Sequence, residues 1–145
     1  MKKVMIFILL MAIYAPAVFS EVLYQLNGPK AVCKVNCKFF SQSNCFDTEK
    51  RQIAVIDISK QSKVTIEGEI WAEADTCYNP GRLTIRIMDA GGNPVDMEMA
   101  DSVDCLGTRT PFRWNLSLNG GQALKVQLKS GDWCSSLSRF SVLTK

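Results

Sequence analysis

The sequence predicts an all-β chain: an antiparallel β-sandwich of jelly-roll type, stabilised by disulfides. Three observations carry this. Apolar and polar residues alternate with a period of two over several short stretches, as on strands with one buried and one wet face. Clusters of Gly, Pro and Asn punctuate those stretches at regular intervals. No stretch carries the periodicity of a helix of useful length. A small closed barrel is the alternative architecture.

Taken in order, the chain opens with Lys2 and Lys3, an apolar run from Val4 to Val18, and the small-residue site Val18-Phe19-Ser20 before Glu21. This is the pattern of a secretory signal peptide over residues 1–20. The run is shorter than the ~20 residues of a membrane span and contains Pro16, so no span is expected after its removal. Residues 21–145 then form a single sandwich domain, secreted or periplasmic, long enough for one core.

Within that domain, Val22 to Leu26 is a short strand ended by Asn27-Gly28-Pro29, and Ala31 to Phe40 a second, with Cys33, Val35, Cys37 and Phe39 on one face. Ser41 to Gln52 reads as a polar loop pinned by Cys45, and Ile53 to Ile58 as a buried strand. Val64 to Asp75 and Arg82 to Asp89 read as a hairpin around Thr76–Gly81, with Asp75 opposite Arg82, Glu73 opposite Thr84 and Trp71 opposite Arg86, where the guanidinium could cover the indole. A turn at Ala90–Pro94 leads to a weaker strand, Val95 to Met99, and then to the loop Ala100–Thr110. Phe112 to Leu118 and Leu124 to Lys129 read as a second hairpin about Asn119-Gly120-Gly121. Ser130–Ser136 is a loop holding Trp133 and Cys134, and Ser138 to Thr144 closes the chain as a strand. The expected core is Ile66, Ile70, Leu83, Ile85, Ile87, Trp114, Leu116, Val126 and Leu128. The tract from Gly81 to Val95 resembles hairpins of secreted galactose-binding-like sandwiches; it covers a small part of the chain and names no family.

Seventeen basic residues against 14 acidic ones give a net charge of +3, and loss of Lys2 and Lys3 brings it to +1. With no basic run, this balance argues against nucleic acid as a partner. The six cysteines Cys33, Cys37, Cys45, Cys77, Cys105 and Cys134 include no Cys-x-x-Cys pair, and the chain has no histidine. Zinc is therefore disfavoured, and three disulfides are expected, their pairing not deducible from sequence. If each strand crosses the domain once, loops 41–52, 76–81, 100–110 and 130–137 share one end, and the tight turns share the other. Cys45, Cys77, Cys105 and Cys134 then rim one end with Phe46, Tyr78 and Trp133, and Cys77 is expected to pair with Cys105 or Cys134.

Without histidine there is no Ser-His-Asp or Cys-His machinery. Glu67 and Glu69, two apart on one strand, would stand roughly 7 Å apart, a spacing compatible with an inverting glycosidase. Ion pairing across the strand to Arg82 and Arg86 is the simpler reading. Asp89, Asn93, Asp96, Asp101 and Asp104 cluster in sequence, but their spacing fits no calcium loop. Asn115-Leu116-Ser117 is a formal glycosylation acceptor in a eukaryotic secretory route, whereas the leader looks bacterial. The expectation is an exported, non-enzymatic binding module without a cofactor. It would engage a glycan or cell-surface component at the cysteine-rich end, Tyr78 and Trp133 supplying rings and Asn79 and Asp132 hydrogen bonds. The alternative is a periplasmic or secreted protein-binding protein: an inhibitor, an immunity protein or a surface-assembly subunit.

Overall fold

A computed structural model describes residues 20–34, 45–73, 81–101, 109–131 and 134–145. The described residues form ten strands and no helix: β1 (Val22–Gln25), β2 (Lys30–Cys33), β3 (Cys45–Asp47), β4 (Lys50–Asp57), β5 (Lys63–Glu73), β6 (Arg82–Met88), β7 (Pro94–Asp101), β8 (Thr110–Ser117), β9 (Ala123–Lys129) and β10 (Cys134–Thr144). Among them no helix is long and apolar enough to cross a membrane. Two sheets face each other. One runs β3-β2-β10-β5-β8, with β1 beside the far half of β10; the other runs β4-β9-β6-β7. All pairings are antiparallel except β2 with β3. From β4 onward the chain changes sheet at every connection but one, the hairpin β6–β7, which gives the jelly-roll character.

Both expected hairpins are therefore corrected. β5 pairs with β8 and β10, while β6 pairs with β7 and β9. Likewise β8 and β9 lie in opposite sheets. Alternation fixes which face of a strand is buried, and a strand satisfies it equally by turning back in its own sheet or by arching across ~10 Å to the facing one. Arg86 consequently lies far from Trp71's strand and bonds Gln127 on β9. The segment 41–52 is not all loop, since β3 and the start of β4 fall within it, and Cys134 begins a strand rather than sitting in a loop.

Face assignment fares better. Every expected core residue is buried except Trp114, which is half-buried, packs on the core and stacks on Phe112 at 4.7 Å between ring centroids. Phe140, Leu137, Val142, Ile58 and Leu124 belong to the core as well, with Leu26, Val32, Ile56, Val64 and Leu118. Edge strand β7 turns Asp96 and Glu98 to the side of Ile87 and Ile85 and puts Val95 and Met97 on the outer face. Inward charges of this kind discourage edge-to-edge association.

The connections 58–62, 89–93 and 118–122 close one end of the sandwich. Ile58 N–H donates to Gln122 O at 3.0 Å, Gln122 N–H to Met88 O at 2.7 Å, and Leu118 N–H to Ser62 O at 2.9 Å. Asn119 and Gly120 both have positive φ, and a Cβ on Gly121 would lie 2.4 Å from Ile87 Cγ2 and 3.0 Å from Leu118 O. Only glycine lets the chain pass so close to the core there. Asp57 accepts from Ser59 N–H and Asp89 from Asn93 N–H, and these bonds hold both carboxyls below the usual aspartate range.

Candidate functional site

The registers place three longer connections, 34–44, 74–81 and 102–109, and two short ones, 48–49 and 130–133, at the opposite end. Cys134 lies across from both Cys33 and Glu73, Arg82 across from Asp101 and Lys129, and Lys50 across from Lys129. Segments 34–44, 74–81, 102–109 and 130–133 all leave from this rim. Cys33 and Cys134 are fully buried and disulfide-bonded, their Cα atoms 4.1 Å apart. Cys134 is thus not available to Cys77, and of the two expected partners only Cys105 is left. Glu49 forms ion pairs with Lys34 at 3.7 Å and Lys129 at 3.9 Å, and its carbonyl accepts from Ser130 N–H. Arg51 lies over the Phe46 ring, 3.9 Å from its centroid, where the edge strands of the two sheets meet. The expected site residues Tyr78, Asn79, Asp132 and Trp133 lie outside the described residues, as do Cys37, Cys77 and Cys105; of Cys45 only the backbone, at the start of β3, is described.

A second feature occupies the outer face of the larger sheet. Glu67 and Glu69 project there from β5, opposite Arg113 and Pro111 of β8. Their partners are not Arg82 and Arg86, which belong to the other sheet. Arg113 pairs with Glu67 Oε2 at 3.3 Å; Arg109 pairs with Glu69 Oε1 at 3.3 Å and Arg139 with Glu69 Oε2 at 3.4 Å. Ser138 Oγ adds a bond to Glu69 Oε1 at 3.2 Å. Glu69 is mostly covered, its side chain 16% exposed, whereas that of Arg139 is 76% exposed.

Arg139 reaches this position because β10 is irregular between Ser138 and Ser141, and its φ is +51°. A non-glycine residue in the left-handed region within a strand is uncommon. Gly68 makes room beneath: a Cβ there would lie 2.7 Å from Phe112 Cζ and 3.2 Å from the Phe140 Cα. The result is a groove of about 250 Å³ bordered by Glu67, Glu69, Pro111, Arg113 and Arg139 over Gly68 and Phe112. The sequence does carry a signal for the irregularity. Leu137 is buried at an odd position, Phe140 and Val142 at even ones, and such a parity switch requires an extra residue between them.

No protein-family model and no curated protein matches the chain. Solved structures do. The VP2 subviral particle of infectious bursal disease virus is similar with 12% identity and a TM-score of 0.51, covering 87% of this chain and 32% of that one. A structure of the Gt strain of the same virus gives 15%, 0.51, 86% and 32%. The CBM22-1 xylan-binding domain from Paenibacillus barcinonensis Xyn10C gives 15% identity and a TM-score of 0.49, over 87% of this chain and 96% of that domain. The chain spans 32% of the length of each of the two viral chains. At these identities the likeness to the viral chains establishes the β-sandwich fold alone.

Proposed function

We propose that the protein is an exported, non-catalytic binding module that engages a glycan or cell-surface component through the disulfide-pinned end of its sandwich. The observation that supports this reading is the asymmetry of the two ends. One is closed by short turns bonded to each other. At the other, the ends of β2 and β5, from which longer segments depart, lie beside the start of β10, and Cys33–Cys134 ties β2 to β10. Loops on a rigid scaffold are where binding surfaces are built, and pre-ordering them lowers the entropic cost of capture. The disulfide is compatible with an oxidising compartment. Catalysis by the Glu67/Glu69 pair is disfavoured because both oxygens of Glu69 already accept from Arg109, Ser138 and Arg139.

Tyr78 and Trp133 supply the contact area and Asn79 and Asp132 the hydrogen bonds at its margin. Binding of the exported protein to an array of neutral glycans tests this. Tyr78→Ala and Trp133→Ala should each weaken binding of the selected glycan by at least ~1 kcal/mol and leave the melting temperature nearly unchanged. Retained affinity in both variants would overturn the assignment.

A further inference from the structure

We infer that the groove on the outer face of the larger sheet is a second binding site, and that it takes a uronic-acid residue of an acidic polysaccharide. The inference concerns a surface separate from the loop end and rests only on the reading of the protein as a glycan binder.

The first support is backbone conformation. Arg139 holds φ = +51° inside the central strand of its sheet. Left-handed conformations of non-glycine residues persist when the surroundings impose them, and they cluster at ligand clamps and active sites. Here the surroundings are Gly68, whose bare backbone admits Phe112 and the bulged Phe140, and Glu69, which receives the re-aimed guanidinium. Residues on three strands are thus adapted to placing Arg139 at this spot.

Charge and hydrogen-bonding capacity supply the second support. Three guanidiniums meet two carboxylates, which leaves the cluster with one excess positive charge. Arg139, Arg113 and Arg109 each touch a carboxylate through Nη1 and are 76%, 67% and 65% exposed. A guanidinium has five N–H donors in a planar fork, so each retains donors able to take a ligand carboxylate in bidentate fashion. Among the described contacts Glu67 uses only Oε2, so its second oxygen can accept from a hydroxyl. A ligand that offers an anionic carboxylate and neighbouring hydroxyl donors on a compact ring matches this set, and a uronic acid offers both.

Third, the shape selects against a peptide. The groove is shallow, and four of its seven lining residues, Glu67, Glu69, Arg113 and Arg139, are charged, with Pro111 and Phe112 its apolar part, so it offers little depth in which to anchor a peptide side chain. Strand addition along the adjacent edge β8 is hindered by Pro111, which has no N–H to donate.

Calorimetry of the full-length exported protein tests the inference with four probes: an oligogalacturonate, the same oligosaccharide with its carboxyls reduced to alcohols, a neutral xylo-oligosaccharide and a dextran sulfate oligosaccharide, which is anionic but has no carboxylate. Oligogalacturonate should bind at least tenfold more tightly than each of the other three. Arg113→Ala and Arg139→Ala should each lower that affinity at least tenfold. Arg139→Gly should do the same while raising the melting temperature, which separates lost binding from lost folding. Tyr78→Ala and Trp133→Ala should leave oligogalacturonate binding unchanged. Equal affinity for the reduced oligosaccharide, or for dextran sulfate, would overturn the inference, as would arginine variants with wild-type affinity. Loss of oligogalacturonate binding in Tyr78→Ala alone would assign that ligand to the loop end and overturn this site. A neutral glycan lost in Tyr78→Ala leaves the loop-end reading standing whichever way the groove behaves.

Discussion

The two ends of the sandwich are held by different physics. At the closed end, three short connections bond one another through Ile58, Gln122, Met88, Leu118 and Ser62, and Gly121 seats them on the core. Each such bond contributes a net ~1 kcal/mol. At the disulfide end, a buried disulfide joins β2 to β10 where longer segments depart, and Ser130 N–H donates to the Glu49 carbonyl. The contrast shows two ways of fixing strand ends: at one end the turns bond one another, and at the other two strands are joined covalently where longer segments begin.

Replacing the anchor should give the largest effect. Cys33 and Cys134 are 101 residues apart in sequence, and closing a loop of that size removes ~4.7 kcal/mol of unfolded-chain entropy on the loop-closure model. The Cys33→Ala/Cys134→Ala protein should lose stability approaching that figure in guanidinium melts, with the other thiols kept oxidised. A loss below ~1 kcal/mol would mean the disulfide end is held by something else. At the closed end, Gly121→Ala should destabilise by ~1–3 kcal/mol, because the new methyl overlaps Ile87 and the Leu118 carbonyl and neither can withdraw freely. If Gly121→Ala exceeded the cysteine pair, the ranking of the two ends would be reversed.

Burial was largely legible in the sequence and connectivity was not. Ile66, Ile70, Leu83, Ile85 and Ile87 announce their faces by alternation, and alternation is indifferent to which neighbour lies alongside. The turn at Asn119-Gly120-Gly121 is where it was expected, yet it spans two sheets; the Gly-Gly doublet, of which Gly121 must lack a side chain, was the only local hint. Ser135 and Ser136 are buried small polar residues, and they disguised the start of β10 as loop. Of the groove, Glu67 and Glu69 stood out as a pair, but Arg109 and Arg139 lie 40 and 70 positions from Glu69 in the numbering and meet it only through sheet topology. Counting strands from β4 onward still assigned connections to the right end, since parity survives an error in pairing, but it did not sort them by length: 130–133 is shorter than any of the three turns at the closed end.

Between the two ends, the bulge of β10 allows a test in the stabilising direction. Arg139→Gly relieves a left-handed residue, a conformation that disfavours a side chain by ~1–2 kcal/mol, against the extra unfolded-state freedom of glycine and the loss of an exposed ion pair worth under ~1 kcal/mol. A net gain of ~0.5 kcal/mol or less is expected, read as a higher denaturant midpoint. A clear loss would show that the Glu69 contact stabilises the fold rather than serving a ligand.

The smallest effect should come from acid, and it should fall on the closed end. Asp57 is held below its ordinary range chiefly by the Ser59 backbone N–H, then by the Ser59 side chain, with Lys60 adding a weaker attraction. Asp89 is held low chiefly by the Asn93 backbone N–H, then by the Asn93 side chain and by the Gly91 and Gly92 amides. A carboxyl whose folded value lies below its unfolded one adds stability that is present above the unfolded value of about 4 and disappears as pH falls through the folded value. Asp57 is exposed and Asp89 partly so, so their shares are small, and they are lost only as the pH falls below about 4. In urea melts between pH 6 and 2.5, the wild-type midpoint should decline through that window. Asp57→Ala/Asp89→Ala should begin lower and decline less, the two curves converging at the acid limit. Parallel curves would mean that the turn carboxylates do not link the closed end to pH, and that its stability rests on the backbone bonds among Ile58, Gln122 and Met88 alone.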